Sequence, residues 1–450
     1  MERRREEILK ELEEEYELYD RRFPAWLREE RRRARLLFRR LEEEGAPVGK
    51  YGMNFDLLSF RPDIAPPHPP RQSLLDLEED MKREAELAGQ RLDEEYRAGS
   101  KLQEDTSTTY LRFTPTCIEN ILIRHPGGLI VEDIEEAVIK YPWLERFWSG
   151  ILPRNLDKYT AFNMGYSRGG IFVWVKRGIK VELPLQACFF VRTPLLAQLT
   201  RVIVIAEPES RIHLLSGCVS KPDCNEGLHG CITEIYIGRG AEVTYSMIHN
   251  FKSGFHIRPK IGAIIEEGGT YIENFIIIGP CLSDQAYPTA VLRGEGAKAL
   301  IRCIILGVGD SDIDIGSCLI FSAPRTRGEL ISRAVALESS RIRMRGNLKA
   351  YADEVIGHLD CRGLLLSPEA RAWAFPQLRS ASPGARLTHE AGIGRIAEEE
   401  IYYLMSRGIN EEEAVSLIAR GFLDVETPGL PPMLKGEISR VISESLEKSL

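Results

Sequence analysis

AEVTYSMIHN (241–250), TYIENFIIIG (270–279) and AKALIRCIILG (297–307) follow one another at nearly equal intervals. Each starts with alternating apolar and polar residues and is rich in β-branched or aromatic side chains, the pattern of a half-buried strand. Each follows a two-residue turn: Arg239–Gly240, Gly268–Gly269 or Glu295–Gly296. The same unit, a turn and then an alternating strand, starts at Ile179, Ser210, Ala241, Thr270, Ala297, Ala370 and Ala385. The successive spacings are 31, 31, 29, 27, 73 and 15 residues. A period near 30 belongs to solenoids and propellers, but a propeller blade needs ~40–45 residues and no Leu/Asn frame of a leucine-rich repeat is present. Strands stacked at this period without helices between them predict a parallel β-helix, each coil burying its face against the next. A β-sandwich is the alternative.

Outward from this core the texture changes. Further strand-like runs, IFVWV (171–175), IKVEL (179–183), RVIVIAE (201–207), RIHLL (211–215) and ITEIYI (232–237), extend the β region toward Lys158. Leu9, Leu12, Tyr16 and Tyr19 recur at helical spacing within residues 1–45, which hold 13 Lys/Arg and 14 Asp/Glu. This predicts an amphipathic helix with a solvated face; the acids cancel the field of the arginine run and argue against nucleic-acid binding. RPDIAPPHPP (61–70) predicts a linker or extended edge, since proline fixes φ and removes a donor. Residues 73–98 and 129–148 read as further helices. After the β region, EEEIYYLMSRG (398–408) and EEEAVSLIARG (411–421) predict two helices, the first ended by Gly408, the second capped by Asn410 and ended by Gly421, with a last helix over 434–450. The expected division is 1–155, an N-terminal helical region; 156–392, the β-helix core; and 393–450, a C-terminal helical domain.

The chain has 450 residues, 43% hydrophobic and 28% charged, with a net charge of −8. That is an ordinary globular composition. No stretch approaches the ~20 apolar residues of a membrane span. MERRREEILK has no apolar h-region of a secretory signal. Nine cysteines, an odd number without small-framework spacing, predict reduced thiols and a cytoplasmic location rather than a disulfide scaffold.

Several constellations are candidates for chemistry. No P-loop, GxSxG, HExxH or CxxC occurs, so the chain is not expected to hydrolyse ATP itself. His213, Cys218, Cys224, His229 and Cys231 crowd into 19 residues and offer soft and imidazole ligands, although C-x5-C and C-x6-C fit no standard zinc knuckle. Asp310, Asp312 and Asp314 share one face of a strand, the arrangement of a calcium site or a carboxylate-dependent hydrolase. Cys361 and the pair His389–Glu390 lie 28 residues apart, about one coil, so a thiol, an imidazole and a carboxylate can meet on neighbouring rungs. All three bind iron.

At these residues the sequence resembles the SufB/SufD family, scaffold proteins of the SUF iron–sulfur cluster assembly system. The likeness runs through DKYTAFNMGYSRGGIFVWVKRGIKVELPLQ (157–186), HLLSGC (213–218), LHGCITEI (228–235), IDIGSCLI (313–320), RGELISRAV (327–335) and GHLDC (357–361). Its most specific part is THEAGIGRIAEEEIYYLMSRGINEEEAVSLIARGF (388–422). The resemblance implies a mainly β chain with some α: a right-handed parallel β-helix flanked by N- and C-terminal helical domains. It implies a non-enzymatic scaffold for transient iron–sulfur clusters, paired with a second SufB/SufD-type subunit and a SufC-like ATPase docked on IYYLMSRGIN (401–410), and served by a sulfur-donor protein. ATP-driven motion of that partner opens the core interface. Carried over by position, Cys361 matches the cluster-assembly cysteine, with His389 and Glu390 as candidate iron ligands. Cys218 matches the cysteine where persulfide sulfur arrives, for which a lowered thiol pKa is expected. Cys224, Cys231 and His249 depart from the family pattern. The presence of Cys361 with the His-Glu pair favours a SufB-like member. A SufD-like structural adaptor and a β-helix carbohydrate-active enzyme are the alternatives. Some members use reduced flavin, but no flavin motif is seen here.

Overall fold

The computed structural model describes residues 2–43, 53–62, 79–87, 108–114, 122–123, 127–182 and 184–423. Alternation dictates its core. Eight strands from Gly170–Val175 to Arg371–Ser380 stack in a first sheet, and eight from Leu185–Val191 to Arg386–Gly394 in a second. The chain passes from one sheet to the other and back, so each coil contributes one strand to each, and the fold is a parallel β-helix. Side strands bring the sheets to 12 and 10 strands. Odd-numbered residues of the central coils, such as Val243, Tyr245 and Met247, face the lumen with Ile212, Leu214, Tyr271 and Phe275. Their even-numbered neighbours face outward.

Register is regular. Cys218 pairs His249, His249 pairs Ile277, Ile277 pairs Ile305, and Ile305 pairs Ala334. The 73-residue spacing in the sequence covers two coils with strands Asp312–Phe321, Arg327–Ala336, Arg341–Ala350 and Ile356–Leu365. The 15-residue spacing is half a coil, because Arg371–Ser380 lies in the first sheet and Arg386–Gly394 in the second.

The chain before residue 170 covers the outer face of the first sheet and also adds to both sheets. α1 (Glu2–Asp20) and α2 (Ala25–Glu43) are separate helices, where a single one was expected; the break falls at Phe23–Pro24. Leu12, Tyr16 and Phe38 pack with Phe162 and Tyr166 of α5 (Lys158–Tyr166) over Ala197 and Leu199. Arg31 and Arg35 of the arginine run are fully buried and clasp Asp20 at 2.7 and 2.8 Å, and Arg32 and Arg33 pair with Glu29. The expected helix 129–148 begins as a strand, Leu129–Asp133, antiparallel to Gly170–Val175; LIVED alternates with period two and so joins the sheet. Asp133 then caps α4 (Ile134–Lys140) through the Glu135 and Glu136 amides. Arg61–Pro62 forms an edge strand on Leu196–Ala197. α3 (Glu79–Leu87) is the described part of the helix expected over 73–98. Of IKVEL, the described residues 179–182 form no strand; Lys180 makes a bridge to Arg211.

Gly170 makes the junction of α5 with the first strand possible. Its φ is +129°, and an added Cβ would sit 1.8 Å from the Arg201 carbonyl oxygen. Gly170→Ala is expected to cost about 3 kcal/mol or more, from strain plus overpacking, read as a lowered urea midpoint.

At the other end, α6 (Glu398–Met405) buries no residue, while α7 (Glu411–Leu423) lays Ala419 and Leu423 on the second sheet beside Ile248, Ile276 and Val335. Gly408 takes φ +90°, and the Asn410 side chain accepts from the Glu413 amide at 2.8 Å. α7 runs through Gly421 to Leu423, past the expected stop, because that face still packs on the sheet. The helix expected over 434–450 lies outside the described residues. Among the described residues, no helix is long and apolar enough to cross a membrane.

Candidate functional site

The lumen of the second sheet carries three adjacent columns of inward side chains. One runs Phe189–Cys218–His249–Ile277. The next runs Met247–Phe275–Cys303–Ser332–Cys361–Ala391, and the third Tyr245–Glu273–Ile301–Leu330–Leu359–His389. The eight cysteines among the described residues are free and buried, so no disulfide closes the scaffold there.

Cys361 sits at the penultimate rung of its column. Ser332 lies between it and Cys303 in the same column. Burial pushes the Cys361 thiol up to about 11, Asp360 adds to the rise, and Ser332 and Arg333 oppose it. Cys218 is raised further, by complete burial and by nearby Cys231. Neither thiol is the lowered-pKa nucleophile that sulfur acceptance led us to expect, because desolvation disfavours thiolate more than any neighbour favours it. In this conformation both cysteines are protected.

The structure divides the Cys361–His389–Glu390 set. Cys361 pairs Ala391, so His389, two residues earlier, shares its lumen-facing parity in the next column. Glu390 has opposite parity. It faces outward, and its carboxylate accepts from Arg362 at 3.0 Å. All of Thr388–Gly394 is exposed, and among the described residues no further coil covers this last strand. The same end shows Trp373, Phe375, Leu378 and Ile393 to solvent.

A second cluster lies deeper. Cys218 Sγ and one ring nitrogen each of His229 and His249 lie within 4.8 Å of one another, all three residues buried. Cys218 and His249 come from the second sheet and His229 from the first, across the lumen. His229 Nδ1 is 2.8 Å from Gln198 Oε1, and His249 Nδ1 is 2.8 Å from Asp284 Oδ2. Nε2 of both rings is buried without a partner. Phe251 packs on both rings, at 5.3 and 6.0 Å. Of the five residues that crowd into the 213–231 window, only Cys218 and His229 meet here. His213 faces outward to Ser246 at 3.0 Å, Cys224 turns toward the Glu226 carbonyl, and Cys231 reaches Thr233. His249, one coil on, is the third member.

The acidic strand is spent elsewhere. Asp312 accepts from Arg341 and Arg343, and Asp314 from Arg345 at 2.5 and 3.0 Å, all one coil later. Arginine-neutralised carboxylates are poor calcium ligands and poor acid–base pairs, so the observation that favoured a hydrolase falls away.

The fold is thus a parallel β-helix with Cys303 and Cys361 in one column of its lumen and an exposed last strand. Residues 189–422 match the family model described as "SUF system FeS cluster assembly, SufBD core domain". An iron–sulfur cluster assembly SufBD family protein of Methanothermobacter thermautotrophicus is 35% identical over 401 residues, 88% of this chain and 95% of that one. Another from Archaeoglobus fulgidus is 36% identical, covering 80% and 94%. The iron–sulfur cluster assembly protein SufB of Bacillus subtilis is 27% identical, covering 88% and 84%. The chain belongs to the SufBD family of iron–sulfur cluster assembly proteins.

Proposed function

We infer that this chain is a SufB-like scaffold on which nascent iron–sulfur clusters form, and that it performs no ATP chemistry itself. The observation that carries the reading is the position of Cys361: a buried thiol one rung from the exposed end of the solenoid, with His389 on the same lumen-facing parity. Iron and sulfide are its cargo. Cys361 is the thiolate ligand once deprotonated, and His389 the imidazole ligand. Glu390, held outward by Arg362, joins them only when the last strand shifts. The exposed aromatic and aliphatic side chains of that end suit a second subunit of the same family, self or paralogue, seated there.

Cys218 is the point of sulfur arrival in this scheme. Between it and Cys361 the lumen offers Tyr245, Glu273, Cys303 and Ser332, polar or thiol groups in a largely apolar core. Both thiols are shielded in the closed structure, which suits a machine opened by a SufC-like ATPase. Tyr402 and Tyr403, about 60% exposed on α6, are the docking surface for that partner. The working location is the cytoplasm, and the regions 1–155, 156–392 and 393–450 act as arm, core and dock.

Anaerobic reconstitution with iron and sulfide tests the assignment. Wild-type chain is expected to develop sulfur-to-iron charge-transfer absorption, and Cys361→Ala to lose at least nine-tenths of it. Equal absorption in the variant would sink the cysteine assignment and leave the adaptor reading.

A further inference from the structure

The Cys218–His229–His249 cluster has no role in the scheme above beyond the sulfur chemistry of Cys218. Its surroundings are unlike those of a packed core. Two imidazoles and a carboxylate, Asp284, are buried in the lumen among Phe189, Phe251 and Phe275. Each imidazole has one nitrogen fixed and the other empty. Leaving a buried donor or acceptor unpaired is unfavourable and calls for an explanation, a bound ion or water among them. Here two such atoms belong to residues converging on one thiol.

The fixed nitrogens carry the chemistry. A metal-bound histidine characteristically anchors its second ring nitrogen on a carboxylate or a carbonyl, which sets tautomer and ring orientation. Gln198 Oε1 accepts from His229 Nδ1–H, and Asp284 Oδ2 does the same for His249. Both rings therefore present Nε2 with its lone pair free, the form that binds metal. Gln198 and His229 are in register on adjacent strands, so this pairing is built into the first sheet. The aromatic shell excludes water, which would otherwise compete as a ligand.

We propose that Cys218, His229 and His249 form a binding site for a single thiophilic divalent cation of the iron(II) or zinc(II) class, separate from Cys361. One thiolate with two imidazoles suits these ions and disfavours magnesium or calcium, which take oxygen donors. With metal–nitrogen and metal–sulfur distances near 2.0–2.3 Å, the three donors close in by about 1 Å on binding. The Cys218 proton leaves to solvent as the ion binds. A fourth position stays open for a sulfur ligand. The inference does not rest on the cluster-assembly reading. It concerns a bare ion at a different place in the lumen, and either can fail alone.

Cobalt(II) is the probe, because a thiolate–imidazole site gives it both charge-transfer and tetrahedral d–d bands. The full chain is refolded from urea anaerobically with cobalt, so that burial of the site does not block access. Wild type is expected to bind one equivalent with both bands. Cys218→Ala loses the charge-transfer band, whereas Cys361→Ala keeps it. His249→Gln and His229→Gln weaken binding at least tenfold, and Asp284→Asn by roughly 10–100-fold. The near-isosteric His249→Gln guards against misfolding: its metal-free unfolding midpoint is expected at or near that of wild type, since it removes the unpartnered Nε2 while its side-chain amide can still donate to Asp284. Absence of both bands in wild type, an unchanged band in Cys218→Ala, or loss of the band in Cys361→Ala instead would overturn the site.

Discussion

Glu234→Ala is expected to lower the unfolding free energy by about 4 kcal/mol or more. Glu234 stands on Glu226–Ile237, the strand that points His229 and Cys231 into the lumen, but it has opposite parity and faces the N-terminal layer. Its carboxylate is fully buried and accepts from the backbone amides of Ser149, Ile151 and Leu152 at 2.9, 2.7 and 2.9 Å. It also pairs with Arg201, itself buried against the Trp148 ring. Alanine strands a buried guanidinium, typically about 3–5 kcal/mol, and removes the acceptor of three buried amides. Arg201→Met removes the opposite charge but leaves the three amide bonds, so it is expected to cost clearly less. Urea unfolding of the two variants checks the order. Equal losses, or a loss under about 1 kcal/mol in Glu234→Ala, would show that this carboxylate does not pin the outer layer to the strand. Through that pin, a residue outside the lumen fixes the register of the groups inside it.

How much of this was legible depends on what marks a turn. Coils starting near 241, 270 and 297 were visible because glycine stands at the left-handed position of their turns, at Gly240, Gly268 and Gly296. Within the 73-residue gap Gly309 still marks one turn, but at the other three Arg325, Glu338 and Glu354 hold that conformation with φ of 52–56°. Non-glycine residues there leave no turn signal. The candidate sites failed or survived for a related reason. A window of consecutive residues gathers both faces of a strand, so His213 and Cys224 joined a set to which they do not belong. The true third member, His249, lies one coil from Cys218, and the arginines that neutralise Asp312 and Asp314 also lie one coil away. Each was within reach of the repeat interval, but only with the register of the sheets in hand. The interval did place Cys361 and His389 on neighbouring rungs with one parity; Glu390 shows that the interval alone does not give parity.

Glu273 breaks the binary pattern of its strand, and its consequence is a pH dependence opposite to that of a surface carboxylate. In TYIENFII the inward positions are Tyr271, Glu273, Phe275 and Ile277, so a carboxyl occupies a core site. Burial pushes it up to about 8, against an ordinary value of 4.5, while a hydrogen bond from Tyr271, 2.8 Å from Oε2, pulls the other way. The folded chain therefore keeps a proton that the unfolded chain has already lost above pH 4.5. Stability falls as pH rises from about 4.5 to about 8 and is flat in this respect beyond. At about 1.4 kcal/mol per unit, the window amounts to roughly 4–5 kcal/mol. Glu273→Gln, a mimic of the protonated side chain, is expected to match wild type at pH 4.5 and to exceed it by about 4 kcal/mol at pH 9. Urea midpoints at pH 4.5, 7 and 9 check this; a gap that does not widen with pH would refute the buried, neutral carboxyl. The same proton ties Glu273 to the thiols. An ionised Glu273 would raise the Cys303 thiol, already held up by burial and by Cys361. At pH 7 the Glu273 carboxyl of the closed solenoid is thus mostly protonated. Any opening that wets it lets Glu273 ionise and releases a proton, coupling exposure of Cys361 to pH in the direction that favours the open state in alkali.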